Sequence, residues 1–410
     1  MADFYQNGII TTLHNLQNRP TSELEDELTN FARQRPLGLI LPSLYSELQG
    51  PALSSIVNEL SAVPYLDQIV IGLDRAAERD YRHALNFFSR MPQEHKVLWN
   101  DGPRLKAIDD NLRDLDLAPK ELGKGRNVWY CMGYVLASGR TESIALHDCD
   151  ITTYDRSLLA RLIYPVAHPS FSYEFCKGYY ARTAHGKMHG RACRLLVTPL
   201  LGALKKILGQ MDYLDYMTSF RYALAGEFSF RRDVLRDIRI PSDWGLEIGV
   251  LSEMYRNYAK SRVCQVDIAN SYDHKHQPLS PEDAKNGLSK MSIDIAKALF
   301  RKLATQGVVF ERGTFRSIKA TYYRIALDAV ENSHNDAIMN GLTLDVHSEE
   351  KAVELFAENI MKAGEVFLER PSDRPFIASW NRVISAVPDI FEQLLAAVEA
   401  DNKEYMERIK

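Results

Sequence analysis

The sequence predicts an α/β protein built on an open parallel sheet, with helical additions at both ends. Three observations carry that expectation. Short apolar runs end abruptly at Pro, Asp or Asp-x-Asp, helical stretches separate them, and beyond about residue 282 the chain becomes almost wholly helical. Apolar runs of this kind suit strands buried on both faces, and strand, helix and strand within about 40 residues make a βαβ unit.

Residues 1–35 read as a peripheral helical segment. Ser22-Glu23-Leu24-Glu25 has capping-box spacing, and Leu24, Leu28 and Phe31 follow at helical intervals. Leu37-Gly38-Leu39-Ile40-Leu41-Pro42 is the first core strand, and a helix carrying Ile56, Leu60 and Val63 leads to a second strand at 68–73 that stops at Asp74. Residues 95–99 form a third strand. A helix over 128–137 follows the glycine-rich Leu122-Gly123-Lys124-Gly125, and a strand at 143–147 runs straight into Asp148-Cys149-Asp150. Phe171-Ser172-Tyr173-Glu174-Phe175 alternates as a strand does, whereas 183–192 is small, polar and basic, hence a loop. Helices are expected near 284–306, 319–340, 348–368 and 388–408. The division that follows is a helical segment at 1–35, an α/β core at 36–280 and a helical region at 281–410.

Composition excludes several function classes. The 410 residues carry 50 basic and 54 acidic side chains, a net charge of −4. No global basic field exists for a nucleic acid or an anionic membrane, so an anionic ligand must be held locally. Five scattered cysteines without a CxxC pair read as buried thiols of a reducing compartment. Met1-Ala2-Asp3-Phe4-Tyr5 lacks the basic and apolar regions of a signal peptide, and no apolar run approaches the ~20 residues that span a bilayer. A cytoplasmic protein is expected, without nucleic-acid or membrane partners.

Asp148-Cys149-Asp150 is the first chemical candidate. In open α/β sheets ligands bind beyond the carboxyl ends of strands. Two carboxylates there suit Mg²⁺ or Mn²⁺, whose remaining positions take diphosphate oxygens; a solvated turn is the competing reading. Downstream, Asp273-His274-Lys275-His276-Gln277 offers an imidazole as a further ligand. Histidines two apart on an extended segment point to opposite sides, so His274 and His276 are alternatives. Gly123-Lys124-Gly125-Arg126 puts two cations before a helix N-terminus, where anions are favoured, without Walker spacing. Gly190-Arg191 suits a carboxylate or phosphate, which arginine grips bidentately.

These motifs, in this order, resemble the glucosyl-3-phosphoglycerate and mannosyl-3-phosphoglycerate synthases over roughly residues 36–300. Leu41-Pro42-Ser43-Leu44 with Glu47 is similar to the family's nucleotide-binding turn, Gly123-Lys124-Gly125 to its Gly-Lys-Gly, and Asp148-Cys149-Asp150-Ile151 to its Asp-x-Asp. Lys177-Gly178-Tyr179-Tyr180 and Gly190-Arg191 match its acceptor strand and loop. Thr198-Pro199-Leu200-Leu201, Ala225-Gly226-Glu227-Phe228 and Trp244-Gly245-Leu246-Glu247-Ile248-Gly249 follow in order.

The resemblance implies a GT-A fold, a Rossmann-like mixed sheet, and a retaining transfer of hexose from a nucleoside diphosphate to 3-phosphoglycerate. It implies a nucleotide-binding half over about 36–150 and an acceptor half over about 151–280. Pro42, Ser43, Leu44, Glu47, Asp74 and Lys124 would hold the donor, with Asp148 facing its ribose or sugar. Asp148, Asp150 and Glu247 would be catalytic. Asp150 with His274 or His276 would bind the metal, and Lys177, Gly190, Arg191 and Cys193 would take the acceptor. The donor is UDP-glucose, GDP-glucose or GDP-mannose, glucose being favoured. Cys193 stands where the family carries a hydroxyl, which keeps free glycerate open as the acceptor. A nucleotidyltransferase and a non-catalytic sugar-nucleotide binder are the competing classes. The apolar stripe Ile390, Phe391, Leu394, Leu395 and Val398 after Pro388 packs on its own chain or forms a homodimer contact.

Overall fold

Among the described residues ten strands organise the chain: β1 (Thr11–Leu13), β2 (Leu37–Leu44), β3 (Leu66–Asp74), β4 (His95–Trp99), β5 (Ser143–Leu146), β6 (Phe175–Tyr180), β7 (Thr183–Ala184), β8 (Lys187–Met188), β9 (Phe228–Arg231) and β10 (Val263–Ala269). The computed structural model describes residues 6, 8–274, 287–371 and 376–407. Eight strands form one sheet in the order β1-β10-β6-β9-β5-β2-β3-β4. β9 runs antiparallel to β5 and β6, and the other pairings are parallel.

Alternate residues of the central strands enter two cores. Ile40, Val70, Leu98, Ile144 and Phe175 face one side, where the helix Lys124–Ser138 lays down Val128, Met132 and Val135. Leu39, Leu41, Ile69, Ile71 and Val97 face the other, against the helices Pro51–Ser61 and Arg156–Ala167. With both faces covered, these strands read as unbroken apolar runs. The chain steps outward from β2 to β3 and β4, then returns to place β5 on the opposite side of β2. That reversal is a topological switch point, and it opens a crevice beyond the carboxyl ends of β2 and β5.

The ends of the chain differ from expectation in places. Residues 11–13 are not helical: β1 pairs with β10, Thr11 opposite Cys264. The helix Thr21–Ala32 starts after Pro20 with no side-chain cap, so Ser22 lies inside the first turn and the capping box is not made. The alternating Phe171–Glu174 stretch precedes β6 rather than forming a strand. Its aromatics serve a cluster instead, with Phe171 stacked on His168 at 4.0 Å and edge-on to Tyr164 and Tyr173. The polar loop at 183–192 contains the β7–β8 ribbon, closed by His185 (φ 50°) and Gly186 (φ 69°). Two positive φ values are what a two-residue hairpin turn demands.

Beyond the core, the helices Gly287–Ala304, Arg312–Met339 and Val346–Glu369 pack together around Phe300, Phe310, Phe315 and Phe367. The last helix, Ile390–Glu407, returns across the core and seals the sheet edge. Asn402 accepts from Val97 N at 3.1 Å and donates to Val97 O at 2.9 Å, satisfying the outer side of β4. Ile390, Leu394 and Val398 are buried within the chain and Phe391 and Leu395 are half-buried, so this stripe packs mainly on its own chain. Among the described residues no helix is long and apolar enough to cross a membrane.

Candidate active site

A cleft of ≈690 Å³ opens at the switch point. Pro42, Ser43, Leu44 and Glu47, from the end of β2 and the turn after it, form one wall. Asp74 at the end of β3, Lys124, Asp148 and Asp150 line its floor, and Gly190, Arg191, Glu247 and His274 close it from the other half. His276 lies outside the described residues.

Lys124 is the electrostatic centre. It begins the helix Lys124–Ser138, and its Nζ meets Asp148 Oδ1 at 2.5 Å and Glu247 Oε1 at 3.3 Å. Burial disfavours the ammonium, but Asp148 and Glu247 outweigh it and hold its pKa above the ordinary value. Asp148 is half-buried, which pushes its carboxyl up, but Lys124 outweighs this and holds it below the usual range. Two glycines permit the convergence. A Cβ on Gly125 would stand 2.1 Å from Pro241 O, so this turn seats directly on the segment leading to Glu247. A Cβ on Gly226 would stand 2.6 Å from Asp148 Oδ2.

Asp150 is placed differently. The segment carrying His274 is pinned to the strand end by Thr152 N to Asp273 O (2.9 Å) and Asp273 N to Thr153 Oγ1 (3.0 Å). Ile151 and His274 bridge antiparallel, which brings His274 Nδ1 to 4.0 Å from Asp150 Oδ2. Burial, then the charges of Asp148 and Glu47, pushes the Asp150 carboxyl up to about 7. Carboxylates crowded in this way are relieved by a divalent cation, and oxygen plus imidazole suits Mn²⁺ or Mg²⁺ with phosphate completing the shell. The residues present therefore fit such an ion. Among the described residues no group of three or more His, Cys, Asp or Glu forms a closed metal cage.

Two residues named from sequence lie behind the cleft rather than in its lining. Lys177 is 1% exposed on β6, its Nζ donates to Ala225 O, and burial holds it down to about 8. Cys193 is buried in the π-helical turn Ala192–Val197. Asp74 does line the cleft, accepts from Asn100 Nδ2 at 2.8 Å, and is pushed up to about 6 by burial.

Sequence reasoning assigns no role to several other side chains in and behind the cleft. Arg182 lines the cleft and contacts His274 Nε2 at 2.5 Å. It follows β6 by two residues, so the strand-end rule that selects Asp148 also selects it. Glu227 is fully buried, accepting from Tyr180 OH at 2.8 Å and Tyr272 OH at 2.5 Å, and those two rings stack at 3.7 Å. Glu349, on a C-terminal helix, lines the cleft and pairs with Arg191. Nothing local in the sequence marks it.

No family model matches the chain. The glucosyl-3-phosphoglycerate synthase of Persephonella marina is 47% identical over 404 residues, covering 98% of this chain and 100% of that protein. The chain belongs to the glucosyl-3-phosphoglycerate synthase family. The Methanococcoides burtonii synthase is 40% identical over 412 residues, covering 99% of this chain and 100% of that one. Solved synthases share the fold. The Mycobacterium tuberculosis glucosyl-3-phosphoglycerate synthase in complex with phosphoglyceric acid superposes with a TM-score of 0.52 at 18% identity, covering 74% of this chain and 90% of that chain. The mannosyl-3-phosphoglycerate synthase from Rubrobacter xylanophilus superposes at 0.54 and 19%, covering 73% and 83%. The family is one of glycosyltransferases, and the mixed sheet with antiparallel β9 is the GT-A arrangement implied by the motifs.

Proposed function

We propose that this enzyme transfers glucose from UDP-glucose, with retention, to 3-phosphoglycerate, giving glucosyl-3-phosphoglycerate. The observation that carries the reading is the convergence of Lys124, Asp148, Asp150, Glu247 and His274 in one cleft at the switch point of the sheet. Full-length identity to synthases of this name supports it. So do two structures of the M. tuberculosis synthase, one with Mn²⁺, UDP-glucose and phosphoglyceric acid, the other with Mn²⁺, UDP and glucosyl-3-phosphoglycerate.

Each residue then has a task. Pro42, Ser43, Leu44, Glu47 and Asp74 shape the nucleotide wall. Asp150 and His274 hold the divalent cation, which neutralises charge on the departing diphosphate. Asp148, kept ionised by Lys124, faces the sugar hydroxyls as an acceptor. Gly190 and Arg191 face the acceptor anion. Glu247 and Asp148 share the Lys124 ammonium, and a carboxylate paired with a cation is a weakened nucleophile. Direct attack by the glycerate hydroxyl from the leaving-group side is therefore favoured, its proton passing to the leaving phosphate oxygen. With the Cys193 thiol buried behind the loop, it gives no reason to prefer free glycerate. Five free cysteines, all buried, suit a reducing compartment, and we place the enzyme in the cytoplasm.

The test is a mass-spectrometric product screen with Mg²⁺ or Mn²⁺. It crosses UDP-glucose, GDP-glucose and GDP-mannose with 3-phosphoglycerate and D-glycerate, with Asp150→Ala as control. Glucosyl-3-phosphoglycerate from UDP-glucose, dependent on metal and absent from the control, is expected. Product from glycerate in preference to 3-phosphoglycerate would overturn the acceptor, and no product from any pair would overturn the reading.

A further inference from the structure

Arg191 does not stand alone at the cleft. Its Nε donates to Glu349 Oε1 at 2.5 Å and its Nη2 to Ser348 Oγ at 2.9 Å. The other oxygen of Glu349 accepts from Arg194 Nη2 at 2.8 Å, while Arg194 Nε donates to His189 O at 2.9 Å. Glu349 is 2% exposed and sits in the first turn of the helix Val346–Glu369. The residues before that helix are also fastened to the loop. Thr343 N donates to Gly186 O at 2.8 Å and Met188 N to Thr343 O at 3.3 Å, so Thr343 extends the β7–β8 ribbon.

We infer that Glu349 is a positioning residue for the acceptor, supplied to the active site by the C-terminal helical region. With Ser348 it takes Arg191 by Nε and Nη2, which leaves Nη1 for an anion in the cleft. Two arginines against one carboxylate leave this trio with one positive charge in excess, the sign a phosphate or carboxylate needs. A guanidinium held by one edge loses little further freedom when an anion takes the other. The inference rests on the proposed role of Arg191 in acceptor binding.

Steady-state kinetics of the full-length enzyme test it, varying 3-phosphoglycerate and UDP-glucose separately in Glu349→Gln, Glu349→Asp, Arg191→Ala and the Glu349→Gln/Arg191→Ala double variant. Glu349→Gln is expected to raise KM for 3-phosphoglycerate about tenfold with KM for UDP-glucose within about twofold. Glu349→Asp recovers part of the loss, and in the Arg191→Ala background Glu349→Gln adds less than about twofold, because the effect passes through Arg191. A lower KM for 3-phosphoglycerate in Glu349→Gln would overturn the inference, as would parallel rises in both KM values, or an undiminished effect without Arg191. If Arg191→Ala leaves KM for 3-phosphoglycerate unchanged, the acceptor assignment of the loop fails, a result distinct from failure of Glu349 alone.

Discussion

Replacing Gly226 by alanine separates catalytic geometry from stability. A Cβ there would lie 2.6 Å from Asp148 Oδ2 and 2.8 Å from Lys124 Nζ. Non-bonded contact needs roughly 3.5 Å, so the methyl group must displace the carboxylate or the ammonium by roughly 0.7–0.9 Å. Both atoms end flexible side chains, and Gly226 does not have a positive φ that would strain alanine. The fold therefore absorbs the change at about 1 kcal/mol, the low end of overpacking penalties. Catalysis does not absorb it, because displacement of about 1 Å in a positioned group costs up to about 10²-fold. Gly226→Ala should lose about 30–100-fold in kcat/KM for UDP-glucose while its Tm moves by only a few degrees. Gly125→Ala is the contrast. Its Cβ would meet Pro241 O at 2.1 Å, a backbone atom that cannot step aside, and about 1–3 kcal/mol of stability should go with the activity. Activity of Gly226→Ala within about threefold of the parent, at unchanged Tm, would refute the Lys124–Asp148 geometry as a catalytic requirement.

Three further outcomes are expected. Asp150→Asn should weaken Mn²⁺ binding in the presence of UDP by about tenfold or more, measured by calorimetry; unchanged affinity would remove Asp150 from the donor set. Glu247→Gln keeps an acceptor for Lys124 and should lower kcat by less than about tenfold, whereas a loss of about 10⁴-fold would point to a covalent glycosyl intermediate. His147 is fully buried, with Nδ1 on Asp148 O at 3.0 Å and Nε2 on Tyr154 OH at 3.1 Å. Burial lowers its pKa from 6.5 to about 4, so its neutral form stabilises the fold fully above 6.5, and that stability is lost as pH falls toward 4. Between pH 7 and pH 5 this amounts to about 2 kcal/mol, which should appear in urea denaturation as a change of that size in the stability difference between the parent and His147→Gln, the raised carboxyls of Asp74 and Asp150 being common to both. Equal pH dependence in the two proteins would contradict the assignment.

What the sequence discloses of this site is what strand ends disclose. The runs before Asp74 and Asp148 stop at polar residues because buried parallel strands must end where the crevice begins, so their positions can be read without a structure, whereas β2 continues through Pro42 to Leu44. Arg182 obeys the same rule beyond β6. Glu349 obeys no local rule: it lies 158 residues from Arg191, on a helix whose period places a carboxylate at a buried position. Only the tertiary pairing explains its burial. β1 is illegible for another reason, since three residues are too few to display a period of two, and its pairing depends on β10 rather than on Thr11–Leu13. In Phe171–Glu174 the alternation is real, but aromatic packing beneath the sheet uses it, not a ladder.

The carboxylates in and behind the cleft are told apart by what neutralises them. Lys124 holds Asp148 and Glu247, the hydroxyls of Tyr180 and Tyr272 hold Glu227, and two arginines hold Glu349. Asp150 faces an imidazole at 4.0 Å, and its carboxyl is the one of the Asp148–Asp150 pair pushed up rather than down. Two acids one residue apart on the same strand end thus have opposite electrostatic surroundings, and opposite surroundings imply different tasks. Asp148 is already charge-compensated and suited to hydrogen-bonding a sugar, whereas among the described residues no cation stands as close to Asp150 as Lys124 does to Asp148. A divalent ion held, as proposed, by Asp150, His274 and a diphosphate would supply that charge only when donor is present. Metal affinity is therefore expected to rise with nucleotide bound, since the diphosphate would complete the donor set.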